Sequence, residues 1–215
     1  MATSGLAVVR LPVRAHWTAT AKRSMDLGGG LALLILGLPI IAIASLAILL
    51  DDGLPLFYRS ARVGHRGRIF QALKLRTMRI GAEDWLKSHP ELEQSYVRDV
   101  KLVGDPRVTR TGSVLRRLSI DELPQAINVI SGDMSLVGPR PGLLHEVERW
   151  GPFAQHRSRV KPGLTGLWQI SGRNLLSYDE RLLLDAHYVA NHSLLMDIRI
   201  LLLTLPAVLS GRGAI

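Results

Sequence analysis

A long uncharged segment near the N-terminus constrains this chain more than any other feature. No residue carries a charge from Leu27 to Leu50, a run of 24 positions. As a helix this run is roughly 36 Å long, which is enough to cross the hydrocarbon core of a bilayer. A cleaved signal peptide is the alternative, but the run exceeds a usual signal core and lacks a small-residue cleavage site. The sequence therefore predicts a membrane-embedded helix.

The centre of this segment holds Pro39, which removes an intrahelical hydrogen bond and predicts a kink or break. Both flanks are basic, with a net charge of +3 over residues 1–26 and +8 over residues 53–215. Basic flanks favour the cytoplasmic side, so both ends are expected there and the helix is expected to be re-entrant. A plain transmembrane span stays open, since such helices tolerate proline.

The predicted organisation is one membrane unit followed by one globular domain. Residues 1–52 form the N-terminal tail and the re-entrant helix, with its apolar part at 27–50, and residues 53–215 form a cytoplasmic domain. About 160 residues suit a single compact core. The chain has no cysteine, which excludes disulfides, thiolate zinc sites and a cysteine nucleophile.

The periodicity of the remaining sequence predicts an α/β fold that is mostly helical, with short strands and amphipathic interfacial helices. Residues 194–209 are almost wholly apolar and fit either a buried helix or a helix in the bilayer interface. The predicted elements are a hairpin within 56–78, a helix over 82–98, a loop at 104–106, and helices over 120–132, 178–190 and 194–209.

Two adjacent carboxylates, Asp121 and Glu122, stand at the start of a predicted helix. Ser119 precedes them in the spacing of a capping box, and Gly132 is placed to end the helix. Such a pair can hold a divalent cation or supply a covalent nucleophile beside a phosphate. A plain helix cap explains the same residues, because the helix dipole favours acidic side chains in the first turn. The motif alone favours the cap.

The cationic surroundings of the pair favour the chemical interpretation. Guanidinium groups bind phosphate oxygens in pairs, and the prolines on both sides of Arg140 restrict its backbone. A solvated surface charge is the alternative for each arginine, and for Arg140 both interpretations are equally supported. The cluster as a whole suits a diphosphate. Its members are Arg107, Arg110, Arg116, Arg117 and Arg140.

Other common catalytic patterns are absent from the sequence. It contains no Walker-type phosphate loop, no nucleophile elbow and no closely spaced pair of helical histidines. Lys and Arg outnumber Asp and Glu by 27 to 18, which suits a phosphate-rich partner without identifying it. Aromatic residues make up only 5% of the chain, which argues against a nucleic-acid stacking surface.

Several motifs, in a shared order, resemble those of the bacterial sugar transferase family, the monotopic polyprenyl-phosphate phosphoglycosyl transferases. The resemblance runs from Lys22 to about Leu205 and matches the minimal catalytic form of the family. The motifs are KR-x-x-D at 22–26, K-x-RTM at 74–78, DPRVTR at 105–110, LRR-x-S-x-DELPQ at 115–125, GDMSLVGPRP at 132–141, KPGLTG at 161–166 and the region from Asp185 to Asp197.

The resemblance implies a two-step covalent exchange. Asp121 would attack the β-phosphate of a UDP-sugar, release UMP and form a phosphosugar-aspartate that a lipid phosphate resolves. Glu122 would share the active site, and Mg²⁺ would bind Asp121 and Glu122. Neighbouring cations and a helix N-terminus are expected to keep the nucleophile ionised. Supporting roles fall to Lys74, Arg116, Arg140, Asp185 and Asp197, and membrane-segment roles to Lys22, Arg23, Asp26 and Pro39.

The same resemblance implies the partners and the location. They are a UDP-sugar, polyprenyl (undecaprenyl) phosphate and membrane lipids, at the cytoplasmic face of the bacterial inner (plasma) membrane. Overall similarity to exopolysaccharide-type members favours galactose or glucose as the sugar, and the oligomeric state stays open, with a homodimer as one option. The competing hypothesis is a non-catalytic, membrane-tethered basic module that binds anionic lipid or nucleic acid, with Asp121 and Glu122 as a cap.

Overall fold

The computed structural model describes residues 19–99, 102, 104–151 and 153–213, so residues 1–18 of the predicted tail lie outside the described part. Helices dominate and the strands are short, which confirms the predicted fold class. The described helices are α1 (Ala19–Asp52), α2 (Ala82–Lys87), α3 (Pro90–Asp99), α4 (Arg110–Arg117), α5 (Ala126–Ser131), α6 (Phe153–Arg157), α7 (Leu167–Ser171), α8 (Tyr178–Asn191) and α9 (Leu194–Leu209). The described strands are β1 (Phe57–Val63), β2 (Ile69–Leu75), β3 (Ser135–Val137), β4 (Gly142–Leu143) and β5 (Gly163–Thr165).

Two small sheets organise the globular part. The predicted hairpin is present as antiparallel β1 and β2, and β4 adds to the other edge of β1. The turn between β1 and β2 uses Arg66 and Gly67, both at positive φ. The second sheet pairs β3 with β5 in parallel. Buried side chains from β2, α5, β3, α8 and α9 form the main core, including Val129, Met134 and Val189.

Helix α1 lies against the globular part along one narrow stripe, and its other faces stay exposed. The stripe repeats at three, four or seven positions, which is the spacing of one helical face. It includes glycines that allow close approach: a side chain at Gly30 would meet Val129 at 3.2 Å. Of the described helices, α1 is the one long and apolar enough to cross a membrane. The buried positions are Asp26, Gly30, Gly37, Ile41, Ala44 and Ile48.

The N-terminal end of α1 is fixed to the globular part by charged groups. Lys22 Nζ donates to Asp197 Oδ2 at 2.7 Å. Arg23 donates to two carbonyl oxygens in the last turn of α5, those of Val129 and Ile130. The buried carboxylate of Asp26 accepts hydrogen bonds from the hydroxyl of Ser135 and the amide of Leu136 in β3.

The C-terminal end of α1 is fixed to the same domain by another arginine. The Arg76 guanidinium pairs with Asp52 and donates to the carbonyl oxygens of Asp52, Gly53 and Pro55. Both ends of a helix roughly 50 Å long are therefore bound to one globular body. A helix that crossed the bilayer would carry one of these ends to the opposite side.

Helix α1 is continuous through Pro39, and the kink or break expected at this residue stays a prediction. Proline removes one intrahelical hydrogen bond, and the turns on either side retain theirs. Re-entry of the helix stays a prediction, supported by the attachment of both ends to one domain.

The prediction of a single helix over 82–98 was wrong in one respect, because this segment forms two helices, α2 and α3. The division falls at His89, immediately before Pro90, where the proline ring disfavours helical geometry in the preceding residue.

Helices α8 and α9 confirm the predicted ones almost to the residue. In α9, Asp197 and Ile200 are buried, while Leu195 and Leu202 on its outer side are exposed. This arrangement favours the bilayer interface over a fully buried helix.

Candidate active site

The acidic pair lies on a 3-10 segment, not at the start of an α-helix. Ser119 was predicted to cap a helix, and that prediction was wrong, since its side chain makes no cap hydrogen bond and its φ is 55°. The segment Ile120–Gln125 remains 3-10 because Pro124 has no amide hydrogen and disfavours α geometry in the residue before it. Helix α5 begins afterwards, at Ala126, and ends at Gly132 in the left-handed region, as predicted.

A buried asparagine fixes this segment against the hairpin. The side chain of Asn128 accepts a hydrogen bond from the amide of Leu73 at 2.9 Å and donates to the carbonyl of Gln71 at 2.8 Å. Asn128 thus extends the hydrogen bonding of β2 into α5. The effect is to hold the acidic pair beside the next strand residue, Lys74.

The centre of the site is a tight set of opposite charges. Lys74 Nζ lies 2.6 Å from Glu122 Oε1 and 3.8 Å from Asp121 Oδ2. Arg140 Nη1 lies 3.5 Å from the same Glu122 oxygen. Asp121 is only 7% exposed. Arg116 of α4 is held nearby by a hydrogen bond from its Nε to Thr77 at 2.9 Å.

The two carboxylates differ in their affinity for protons. Burial raises the pKa of Asp121, and Lys74 only partly opposes this effect. Burial acts in the same direction on Glu122, but Lys74 and Arg140 outweigh it and lower the pKa of Glu122 to about 2. The direction of this shift opposes the expectation that neighbouring cations favour the ionised form of Asp121, because the closest cation contacts belong to Glu122. Their different environments shift the pKa values of the two carboxyl groups in opposite directions, which is typical of paired functional carboxylates.

The acidic pair also has the donor set that Mg²⁺ uses. Among the described residues there is no group of three or more His, Asp or Glu side chains suited to hold a metal. Mg²⁺ commonly binds one or two protein carboxylates and takes its other ligands from water and substrate phosphates. Asp121 and Glu122 fit that pattern in number and charge.

A cavity of about 1590 Å³ opens over this centre and brings most of the predicted site residues together. One part is lined by cations and carboxylates, and another by leucines of α1 and α9. The predicted residues that line it are Lys74, Arg107, Arg116, Asp121, Glu122, Arg140 and Asp185.

Asp185 of α8 forms a second carboxylate position in the cavity. Its Oδ2 forms an ion pair with Arg157 Nη2 at 2.9 Å. Its Oδ1 is buried without a partner among the described residues. Burial, opposed by Arg157 and Arg140, raises the pKa of Asp185 to about 7. A buried acceptor without a donor is costly, so this oxygen is suited to a ligand hydroxyl.

Different placements or partners are found for Arg107, Arg110 and Asp197. Arg107 reaches the cavity edge, but Asp105 binds its guanidinium through two oxygens, at 2.9 and 2.7 Å. Arg110 is the exposed first residue of α4 and does not line the cavity. Asp197 is fully buried at the start of α9, where Lys22 and the Tyr188 hydroxyl bind it, away from the acidic pair.

The sequence patterns missed two parts of this site. Arg173 has a φ of 55°, donates to Ser119 at 2.8 Å and retains a buried Nη1 without a partner among the described residues. Trp168 lies between two guanidinium groups, with Arg140 5.8 Å and Arg181 5.1 Å from its ring centre. The one local signal in the sequence was Gly172, a turn former directly before Arg173. The hydrogen bond between Arg173 and Ser119 joins residues 54 positions apart, so no local sequence pattern predicts it.

The whole arrangement defines a class of protein: a membrane-associated enzyme with a carboxylate pair set among cations in a partly apolar cavity. Residues 17–211 match the family described as bacterial sugar transferase, and the chain belongs to that family. The match covers α1, the acidic segment and α9 together.

Curated relatives are similar over nearly the whole chain. The exopolysaccharide production protein ExoY of Sinorhizobium fredii is 45% identical over 198 residues, covering 90% of this chain and 88% of the relative. The undecaprenyl-phosphate galactose phosphotransferase of Salmonella typhimurium is 41% identical, covering 90% of this chain and 41% of the relative. The undecaprenyl-phosphate glucose phosphotransferase of Komagataeibacter xylinus is 37% identical, with coverages of 97% and 40%.

Proposed function

We propose that this chain transfers a sugar 1-phosphate from a UDP-sugar to undecaprenyl phosphate and releases UMP, as an initiating step of exopolysaccharide or related glycoconjugate assembly. One observation carries the proposal: a carboxylate pair, buried Asp121 and half-buried Glu122, lies among Lys74 and Arg140 in a cavity that apolar helix faces also line. The family membership and the names of the relatives agree with it.

The first step forms a covalent intermediate on Asp121. A carboxylate oxygen of Asp121 attacks the β-phosphorus of the donor, the bond from that phosphorus to the bridging oxygen breaks, and UMP leaves with the electron pair. In the second step a phosphate oxygen of the lipid attacks the same phosphorus. The bond to Asp121 breaks, and the carboxylate returns to its starting state.

The residues around the pair bind and orient the diphosphate. Lys74 and Arg140 face the carboxylates, and their charge offsets the repulsion between Asp121 and an incoming anion. Arg116 and Arg173 add guanidinium groups at the same cavity. Tight pairing with Lys74 and Arg140 keeps Glu122 ionised and leaves Asp121 as the less strongly paired carboxylate.

Mg²⁺ belongs to the same proposal. Asp121 and Glu122 would hold it, and when bound it would neutralise charge on the donor diphosphate. Removal of divalent cations with EDTA is expected to abolish turnover, and addition of Mg²⁺ is expected to restore it.

We place the reaction at the cytoplasmic face of the inner membrane. Both ends of α1 are bound to the globular part, and the exposed leucines of α1 and α9 would lie in one leaflet. The donor is soluble and the acceptor is a membrane lipid, so an interfacial site gives access to both. Galactose or glucose is the proposed sugar, in agreement with the names of two relatives.

UMP release tests the proposal directly. Purified protein with Mg²⁺ and undecaprenyl phosphate is supplied with UDP-galactose, UDP-glucose and other UDP-sugars in turn. We expect UMP from at least one donor, and its loss by several orders of magnitude in Asp121→Asn. Asp179→Asn, at an exposed carboxylate in the first turn of α8, is the matched control and should retain activity. Full activity in Asp121→Asn would contradict the assignment.

A further inference from the structure

A short turn outside the acidic segment carries one of the guanidinium groups of the cavity. Residues Arg173–Leu175 form a single 3-10 turn directly after α7. Arg173 has a φ of 55°, and Gly172 before it has a φ of 149°. Left-handed backbone geometry costs free energy in a residue other than glycine, so neighbouring groups must hold Arg173 in this conformation.

On one side, the turn is bound to the residue that precedes the acidic segment. Arg173 Nη2 donates to the hydroxyl of Ser119 at 2.8 Å. Arg173 Nη1 is buried and has no hydrogen-bond partner in the part of the chain that the structure describes. Ser119 also has a φ of 55° and lies two positions before Asp121. Two residues with left-handed backbones therefore hold each other beside the proposed nucleophile.

On its other side, the turn is bound to the segment that follows α9. The carbonyl oxygen of Gly213 accepts hydrogen bonds from the Asn174 amide at 3.3 Å and from Asn174 Nδ2 at 2.8 Å. A Cβ atom at Gly213 would lie 2.6 Å from the Gly172 carbonyl oxygen and 3.1 Å from Arg173 Cβ. Gly213 has a φ of 66°. Glycine is therefore the residue that fits this position without moving the turn.

These contacts form one continuous path from the end of α9 to the acidic pair. The segment 210–213 leads from α9 to the turn, and Arg173 and Ser119 lead from the turn to Asp121. The path contains three left-handed backbones, those of Ser119, Arg173 and Gly213. Because the left-handed region is small, each of these backbones has little room to adjust by itself.

We propose that Gly213 is a positioning residue for the transfer reaction, because it sets the turn that directs the Arg173 guanidinium toward the donor diphosphate. The inference rests on the proposed function and adds a determinant of donor binding that lies outside the cavity. Arg173 lines the cavity, whereas Gly213 does not. A guanidinium group with an unsatisfied N–H suits a phosphate oxygen. Gly213 acts on the donor through Arg173 alone.

Two glycine variants with matched backbones test this role. Gly213→Ala and Gly211→Ala introduce the same side chain at left-handed positions, with φ values of 66° and 62°, so the backbone cost is similar. The contacts differ, since the atom nearest to a Cβ at Gly211 is Nε of the exposed Arg117 side chain, at 3.4 Å. Gly213→Ala is therefore expected to displace the Arg173 turn, and Gly211→Ala is not.

The kcat/KM for the UDP-sugar is measured by UMP release in both variants, alone and combined with Arg173→Gln. We expect a fall on the order of tenfold in Gly213→Ala and a change below about twofold in Gly211→Ala. Arg173→Gln alone should lower kcat/KM by a factor of about 10 to 100, because a charge-assisted hydrogen bond to phosphate is lost. Gly213→Ala added to Arg173→Gln should lower it further by less than about twofold.

A binding measurement gives the same comparison without turnover. The Kd of UDP, which contains the diphosphate but no sugar, is measured by calorimetry on the detergent-purified variants. Asn174→Ala removes the 2.8 Å hydrogen bond to Gly213 without adding volume, and should also weaken UDP binding. Thermal midpoints identify a variant that does not fold, and Asn174→Ala then replaces Gly213→Ala in the double variant.

The outcomes separate this inference from the proposed function. A wild-type protein that releases no UMP from any donor would remove the proposed function itself. With an active wild type, equal activity of Gly213→Ala and Gly211→Ala would overturn the positioning role. Losses that multiply in the double variant would overturn it as well, because they would show that Gly213 does not act through Arg173.

Discussion

At the scale of single residues, the distinctive feature is the unequal treatment of neighbouring carboxylates. Lys74 and Arg140 lower the pKa of Glu122 to about 2, after outweighing its burial, whereas burial raises the pKa of Asp121. Glu122 therefore acts as the fixed counter-charge for Lys74. Asp121 lies 3.8 Å from the same Lys74 amino group, so it does not form the short ion pair that Glu122 forms.

Substitution of Glu122 should test that division. In Glu122→Gln the side chain keeps its shape, but Lys74 loses its closest counter-charge and is free to pair with Asp121. We expect kcat to fall by a factor on the order of one hundred or more, with a smaller change in the KM for the UDP-sugar. Steady-state kinetics of UMP release measure both. An unchanged kcat would show that Glu122 has no part in positioning Lys74.

Asp185 predicts a pH dependence of stability. Its pKa is about 7 in the folded protein, chiefly because of burial, and near 4 when unfolded. The folded state therefore binds a proton at Asp185 more tightly than the unfolded state does. The stability that this proton binding contributes is fully present below about pH 4 and is lost as pH rises through 7. The loss is at most roughly 4 kcal/mol.

Thermal unfolding in detergent, followed by tryptophan fluorescence, checks this sign. The midpoint of the wild type should fall relative to that of Asp185→Asn as pH rises from 5 to 8. In Glu180→Gln, at an exposed position of the same helix, the midpoint should change with pH as it does in the wild type. A difference between wild type and Asp185→Asn that does not change with pH would contradict the assignment.

At the scale of elements, long-range hydrogen bonds position the site. Asn128 joins α5 to β2, and its loss would leave the half-buried amide of Leu73 without this acceptor. Asn128→Ala should therefore cost about 1–3 kcal/mol in the free energy of unfolding and lower kcat, since Asp121 and Lys74 would lose their fixed spacing. The control is Asn191→Ala at the exposed end of α8, with an expected effect within about 0.5 kcal/mol. Equal effects in unfolding experiments would contradict this role.

Two helical glycines provide a second comparison at this scale. A side chain at Gly112 of α4 would meet the Thr77 carbonyl at 2.1 Å, whereas Gly28 of α1 has nothing within 4 Å. Gly112→Ala should destabilise by about 1–3 kcal/mol, because backbone must move. Gly28→Ala should be neutral or stabilising by up to about 1 kcal/mol, since alanine favours helix. The order of the two thermal midpoints decides the point.

The elements also show where sequence patterns succeed. Alternating and helical periodicities predicted the hairpin, α8 and α9, because each depends on neighbouring residues in the chain. The same patterns failed at Pro90 and Pro124, where a single residue changed the local geometry. They could not find the bond between Arg173 and Ser119, or that between Asn128 and Leu73, because those pairs are set by tertiary packing. The motifs and the family resemblance named Asp121, Lys74 and Arg140, which line one cavity, and also Arg110, which is exposed and does not line it.

At the scale of the whole molecule, both ends of the long apolar helix α1 are bound to one domain. The absence of cysteine in the sequence makes topology measurable with single introduced thiols. Thr20→Cys, Leu54→Cys and Ser88→Cys sample the start of α1, the residues after it and the globular part. In oriented inner-membrane vesicles, all three should react with an impermeant maleimide from the cytoplasmic side only. Reaction of Thr20→Cys from the opposite side would show that α1 spans the membrane.

In the proposed function, a soluble donor, a lipid acceptor and the carboxylate of Asp121 meet at a boundary between water and hydrocarbon. Mass spectrometry of the intact protein, quenched after mixing with UDP-sugar and Mg²⁺ without acceptor, tests this account most directly. The account predicts a mass increase of one sugar phosphate that maps to the peptide containing Asp121, disappears on addition of undecaprenyl phosphate and is absent from Asp121→Asn. Turnover with no such adduct, or an adduct on another residue, would contradict it.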